Sequence, residues 1–341
     1  MRVENNATLT IEPGVTIQFT NSGRGGGIHI LSGSTIKAVG TADKRIRFLG
    51  AYEAAGTWRG IDIQSNTEHQ FTYCDFMNMG DMQSTVSGGL RLSHAAKAGI
   101  SHCKFTNGEG TGVFVSSYGG NCQFTAFNNN VFEGYENYPP MVITPLSLIE
   151  KLDMTSDFTK NALKYIEFTA VEVTKDLIIN QTTVPYYFKD GITAGWSNTL
   201  TVNEGVTIYM AAGKDFASAN LTGRFIVNGT ASKKVRITRL PGTSEYWGFI
   251  LFNGLKGSVI NHCIFEYGDN IANKGIIQIV DATELTLNNV EINNSNGYGV
   301  VIGTNNCNYK LNHSNVTFSG NRIGNVWDGC GVPRGVRTHF P

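Results

Sequence analysis

Asp62, Arg91 and Phe114 fall on alternate positions of three short apolar segments, Gly60-Ile61-Asp62-Ile63, Gly89-Leu90-Arg91-Leu92 and Gly112-Val113-Phe114-Val115. Period-two alternation turns these three side chains away from whatever the aliphatic residues bury. A second set, Tyr73 with His102 and Asp75 with Lys104, alternates in the same way around Cys74-Asp75-Phe76 and Cys103-Lys104-Phe105. Two readings fit these residues. In one, Arg91 or Lys104 is the base of a lyase-type elimination, Asp62 and Asp75 are ligands of a Ca²⁺ ion, and His102 is a further candidate beside them. In the other, opposite charges one coil apart form exposed ladder salt bridges worth about 0–1 kcal/mol each. The second is simpler and is preferred; it requires no cofactor.

What positions these residues is a repeat. The three Gly-led segments recur at intervals of 29 and 23 residues, and Cys74 and Cys103 lie 29 apart, in step with them. Two strand series sharing one period fit a coil that returns to the same azimuth on every turn; hairpins have no reason to keep such phase. The pattern predicts an all-β parallel solenoid. Its inward side chains stack about 4.8 Å apart. Ile61, Ile63, Leu90, Leu92, Val113 and Val115 then form interior ladders, with Cys74, Phe76, Cys103 and Phe105 on another wall. Burying each is worth roughly 1.5–3 kcal/mol, so one coil is marginal and a stack is stable. The 40 Gly and 33 Asn have a cause in the same geometry. Corners need left-handed backbone, which these two residue types tolerate best.

The chain also repeats on a larger scale. Leu9-Thr10-Ile11-Glu12-Pro13-Gly14-Val15-Thr16-Ile17 matches Leu200-Thr201-Val202-Asn203-Glu204-Gly205-Val206-Thr207-Ile208 at an offset of 191. Trp58 meets Trp247 and Cys74 meets Cys263 at 189, and Gly110-Thr111-Gly112-Val113 meets Gly297-Tyr298-Gly299-Val300 at 187. The expected organisation is a first β-helix half at 1–134, a bridging segment at 135–197, a second half at 198–330 and a C-terminal tail at 331–341. In the bridge, Leu146 to Leu152 reads as a short helix, and Tyr165 to Phe168 and Val184 to Phe188 read as strands. The second half sets Ile250, Gln278 and Val301 in the column of Asp62, and Ile264 and Glu291 in that of Asp75, so a charged site would belong to the first half alone.

The strings Leu-Thr-x-x-x-Gly-Val-Thr-Ile, Val39-Gly40-Thr41-Ala42-Asp43-Lys44-Arg45-Ile46-Arg47-Phe48 and Trp58-Arg59-Gly60-Ile61 make the chain resemble the right-handed parallel β-helix proteins of the pectin-lyase-like superfamily, in their bacterial secreted or surface-anchored branch. The likeness covers residues 7–134 and 198–328. It implies a right-handed coil and an extracytoplasmic, glycan-facing setting more than a reaction. The superfamily's polygalacturonase-like strings Asn-Thr-Asp, Asp-Asp, Gly-His-Gly and Arg-x-Lys do not occur, nor do the pectate-lyase-like Arg-x-Pro-x-x-Arg and Trp-x-Asp-His. Since Leu200 has a strand leading into it and Leu9 has none, the natural protein is expected to extend upstream with a signal sequence and a capping segment.

The remaining signals mostly exclude. The chain carries 27 basic and 27 acidic side chains, and this balance argues against a nucleic-acid surface. No apolar run approaches the roughly 18 residues of a membrane span. Seven histidines show no i,i+4 or His-x-Glu spacing, and none is expected to hold a metal. Six cysteines form no CxxC pair and are expected to be buried free thiols. Gly23 and Gly25-Gly26-Gly27 make a turn rather than a phosphate loop, as no Lys-Ser/Thr follows. Trp58, Trp247 and Tyr118 are the aromatic candidates for stacking on sugar, with Tyr52, Tyr135 and Tyr138 also near predicted loops; for the Trp pair, packing at a coil corner is preferred. The reading adopted is an exported β-helix protein with a noncatalytic glycan- or surface-binding role, its partner a polysaccharide or cell-surface glycan. The alternatives are a polysaccharide lyase or hydrolase acting on acidic glycans, with Ca²⁺ only in the lyase case, and a structural surface spacer.

Overall fold

The computed structural model describes residues 1–19, 26–80, 88–169, 173–192, 197–216, 223–269, 271, 274–280, 283–303 and 307–330. Gly23, Gly25, Asn306, His339 and the 331–341 tail therefore lie outside the described residues. The fold is an all-β parallel solenoid of about 11 turns. It divides into two compact units, Met1–Thr169 with Thr182–Val184, and Ala170–Gln181 with Pro185–Pro341.

In the first unit each full coil lays one strand on each of three walls. The first wall stacks Arg2–Val3, Gly27–Ile30, Gly60–Gln64, Gly88–Ser93, Thr111–Val115, Met141–Ile143 and Ile166–Phe168. The second stacks Thr8–Ile11, Thr35–Val39, Glu68–Thr72, Lys97–Ser101 and Gln123–Asn128, and the third stacks Thr16–Phe19, Ile46–Gly50, Cys74–Met77, Lys104–Thr106, Val131–Glu133 and Asp157–Lys160. Register sets Leu90 between Ile61 and Val113, and Leu92 between Ile63 and Val115. All six are buried, as the alternation predicts. Behind the third wall, Phe48, Phe76, Phe105, Phe132 and Phe158 stack face to face, with successive ring centroids 5.0, 4.8, 4.6 and 4.6 Å apart. The coil spacing thus equals the stacking distance of aromatic rings, so one period satisfies both the backbone ladder and the core.

The second unit is also built of stacked parallel strands. One sheet of it holds the long strands Ser258–Glu266, Glu284–Asn293 and Lys310–Ser319, each carrying a left-handed residue within it, and a separate wall holds Ile250–Phe252, Ile277–Ile279, Tyr298–Ile302 and Gly324–Asp328. Within 135–197 the expected helix appears as a 3₁₀ helix, Leu146–Lys151, and the expected strands as Ile166–Phe168 and Tyr186–Phe188.

Corners are made by left-handed residues repeated coil after coil. Tyr73, His102 and Asn129 turn the second wall into the third at φ of 50°, 54° and 54°, and His262, Asn289 and Asn315 do so in the second unit at 48°, 55° and 52°. After the third wall come Asn78, Asn107 and Gly134 in one unit and Tyr267, Asn294 and Gly320 in the other, all at positive φ. Buried amides brace these bends. Asn130 accepts from the Cys103 N–H and donates to Ile100 O, both at 3.0 Å. Gly60 shows why some positions admit only glycine: at φ +92° a Cβ would lie 1.8 Å from Gly89 O.

Two expectations need correcting. Cys74, Cys103, Cys122 and Cys263 are buried free thiols, but Cys307 and Cys330 form a disulfide. The two lie 23 residues apart in sequence, about one coil, so stacking brings them together where sequence spacing gives no motif. The outward column of the second unit is Leu251, Gln278, Val301 and Trp327, not one beginning at Ile250. Ile250 pairs with Ile277 and is buried, because the repeat offset of 189 brings Asp62 to Leu251.

Candidate functional site

On the first wall Arg91 lies in register with Asp62 on one side and Phe114 on the other. Asp62 Oδ2 accepts a hydrogen bond from Gln64 Nε2 at 2.7 Å and stands 3.6 Å from His29 Nδ1. Its Oδ1 faces Arg91 Nε at 3.9 Å, too far for a hydrogen bond, and both atoms are buried without another partner. The Arg91 guanidinium carbon lies 6.0 Å from the centroid of the Phe114 ring.

The third wall carries Asp75 and Lys104 in register, as expected, yet they do not pair with each other. Asp75 is held by Arg45 from the preceding coil, with Nη2 at 2.7 Å and Nε at 2.8 Å, while Lys104 reaches forward to Glu133 at 2.6 Å. Glu133 also lies 3.8 Å from Lys160. Ladder ion pairs are thus present, with each partner shifted by one coil. The two candidate carboxylates point outward from different walls, so they do not face a common point as an acid–base couple across a glycosidic oxygen must. Among the described residues no three His, Cys, Asp or Glu side chains gather as a metal site.

The aromatic candidates divide sharply. Trp58 and Trp247 are wholly buried, and each indole N–H is used internally, so neither offers a ring face to a ligand. Tyr118 is 73% exposed and meets His94 edge-on at 5.1 Å. Tyr52 and Tyr138 are exposed and Tyr135 is buried.

At the corner between second and third walls, Tyr73 and His102 stack at 4.5 Å with their rings 12° from parallel, both half-buried. Arg45 closes this platform. Its guanidinium carbon lies 5.6 Å from the Tyr73 centroid, and Nη2 donates to His102 O at 2.9 Å. Burial opposes the Arg45 charge, but the hydrogen bond and charge of Asp75 outweigh it and raise the guanidinium pKa. Pattern reading placed Tyr73 over His102 and missed Arg45, which precedes its strand and alternates with nothing. The signal was available in the repeat, since Lys234 occupies the matching position at offset 189 and also reaches two coils along, to Glu291 at 2.6 Å.

Fold and site together define a parallel β-solenoid with an aromatic and guanidinium platform at one corner. No family model, curated protein or solved structure matches the chain. No helix among the described residues is long and apolar enough to cross a membrane.

Proposed function

We propose that this chain is an exported right-handed β-helix protein, akin to the bacterial secreted or surface branch of the pectin-lyase-like superfamily, that binds glycans without cleaving them. The observation that carries this reading is the backbone of the Tyr73–His102 platform. Both residues adopt left-handed φ, which costs an L-residue other than Gly or Asn roughly 1 kcal/mol or more. Asn129, Asn289 and Asn315 fill the same corner on other coils at the lower cost, and His262 fills it on one coil of the second unit. Tyr73 is thus the one corner residue of a type that left-handed backbone does not favour, and it stands stacked on His102, half-exposed and beside a guanidinium. Such a surface suits the apolar C–H face and ring hydroxyls of a sugar. Against a catalytic reading stand the commitment of Lys104 to Glu133 and the separation of Asp62 and Asp75 onto different walls.

The test is a glycan array with wild type and with the double variant Tyr73→Asn, His102→Asn, followed by a product assay on uronate polymers. Binding by wild type that the variant loses while remaining folded supports the reading. Binding unchanged by the variant, no glycan bound at all, or unsaturated products from the polymers would each overturn it.

A further inference from the structure

The two halves that match in sequence act as each other's control, and they differ at a place beside the buried tryptophan. Trp58 donates its indole N–H to Met77 O at 2.8 Å, and Trp247 donates to Glu266 O at 2.6 Å, so the frame is the same. Around Trp58 the first unit places Gly50, Thr57 and Asn78, which pack so closely that a Cβ on Gly50 would meet Thr57 Oγ1. At offset 189 the second unit places Arg239, Tyr246 and Tyr267. The guanidinium carbon of Arg239 lies 4.0 Å from the Tyr267 centroid and 5.8 Å from that of Tyr246. Nη1 donates to Ser244 O at 2.8 Å, which fixes the fork. The Trp247 backbone N–H bonds Tyr267 O at 3.1 Å, which joins the backbone next to Tyr246 to that of Tyr267.

Two further observations mark this cluster as more than packing. Tyr267 is left-handed at φ 58°, where the matching Asn78, and Asn107 and Asn294 on other coils, are asparagines. Arg239 also lacks a carboxylate partner among the described residues. The three cations just before it in the chain do not: Arg236 pairs with Glu266 at 2.5 Å, Lys234 with Glu291 at 2.6 Å and Lys233 with Glu204 at 3.1 Å. A guanidinium oriented by two rings and one carbonyl, and left unneutralised, presents donors in a planar fork that matches an oxyanion.

We propose that Arg239, Tyr246 and Tyr267 form a second binding site, confined to the second unit, for a sugar that carries an oxyanion, with the anion on the guanidinium and the ring against the tyrosines. This rests on the glycan-binding reading above and adds the charge class of the ligand and a place for it. A carboxylate and a sulfate ester share the required chemistry.

The experiment uses the full chain and three ligands of equal length: a uronic-acid oligosaccharide, a sulfated oligosaccharide and a neutral one. Affinities are measured calorimetrically for wild type, for Arg239→Lys, and for the triple variant Arg239→Gly, Tyr246→Thr, Tyr267→Asn. The triple variant installs the residues that the first unit already accommodates around its own tryptophan, so it is expected to fold. Wild type should favour at least one anionic ligand over the neutral one. The triple variant should lose that preference by roughly tenfold or more, and Arg239→Lys should lose most of it because a point charge lacks the fork. Preference for the uronate or for the sulfate identifies the source of the anion. Wild type and triple variant binding alike, or no preference for charge, overturns this site and leaves the glycan-binding reading standing; no binding of any of the three by wild type overturns both.

Discussion

Trp58 and Trp247 are placed alike down to a single hydrogen bond, each indole N–H ending on a carbonyl 19 residues further along the chain. Both rings are wholly buried, and each closes the bend that leads into the next strand. The side chain acts as a strut between the end of one wall and the start of another. Trp58→Phe or Trp247→Phe removes the donor and strands a carbonyl, which costs about 1–3 kcal/mol, with a further loss for the smaller ring. Urea unfolding should show losses within about 1 kcal/mol of each other. A negligible loss at either site would mean that the hydrogen bond does not hold the corner.

The strain assigned to the aromatic corner is measurable separately from binding. Tyr73→Asn relieves a left-handed tyrosine but forfeits a stacked pair worth about 0.5–1.5 kcal/mol, so its stability should stay near wild type. Tyr73→Ala keeps an unfavourable backbone and loses the stack, and should be about 1–2 kcal/mol less stable. Thermal melts that rank Ala at or above Asn contradict the account.

His69 gives the fold an acid-sensitive point. It is buried in the interior of the second wall, where Nδ1 accepts from the Ile36 N–H at 3.3 Å and Nε2 lies 3.4 Å from Ser65 O. Desolvation lowers its pKa below the ordinary 6.5, opposed by the hydrogen bond to Ser65. As pH falls, the unfolded chain takes up the proton first. The stability that neutral His69 contributes is therefore complete above pH 6.5 and is lost as pH drops below that value toward the folded pKa. Urea unfolding at steps between pH 7.5 and 4.5 should show this loss, and His69→Gln should flatten it. An unchanged slope in the variant would assign the acid sensitivity to other groups.

The disulfide makes a countable prediction. Thiol titration of the denatured, unreduced protein should find four free cysteines, and reduction should find six. Cys307 and Cys330 lie 23 residues apart, so opening their bridge should cost about 3 kcal/mol on chain-entropy grounds. Six thiols before reduction would show that the bridge does not form.

Much of the architecture was legible in the chain itself. A repeat with period-two alternation admits few packings, so the interior ladder of Ile61, Leu90 and Val113 and the stacking of Tyr73 over His102 followed from residue order. The site was legible only in part. Asp75 and Lys104 align as alternation requires, but register does not determine which neighbour a long charged side chain grips, and here each takes a different coil. Arg45, Arg239 and Tyr246 lie at strand ends or in loops, where no period marks them, and the Ile250 column slipped by one residue because a period-two pattern inverts on a single-residue error. Residue order by itself determined a parallel coil and the composition of its core, because burial and backbone pairing repeat with the sequence. Only the tertiary structure decided that Cys307 meets Cys330 and that Arg239 lies against two tyrosines, because those relations depend on where separate coils come to rest in space.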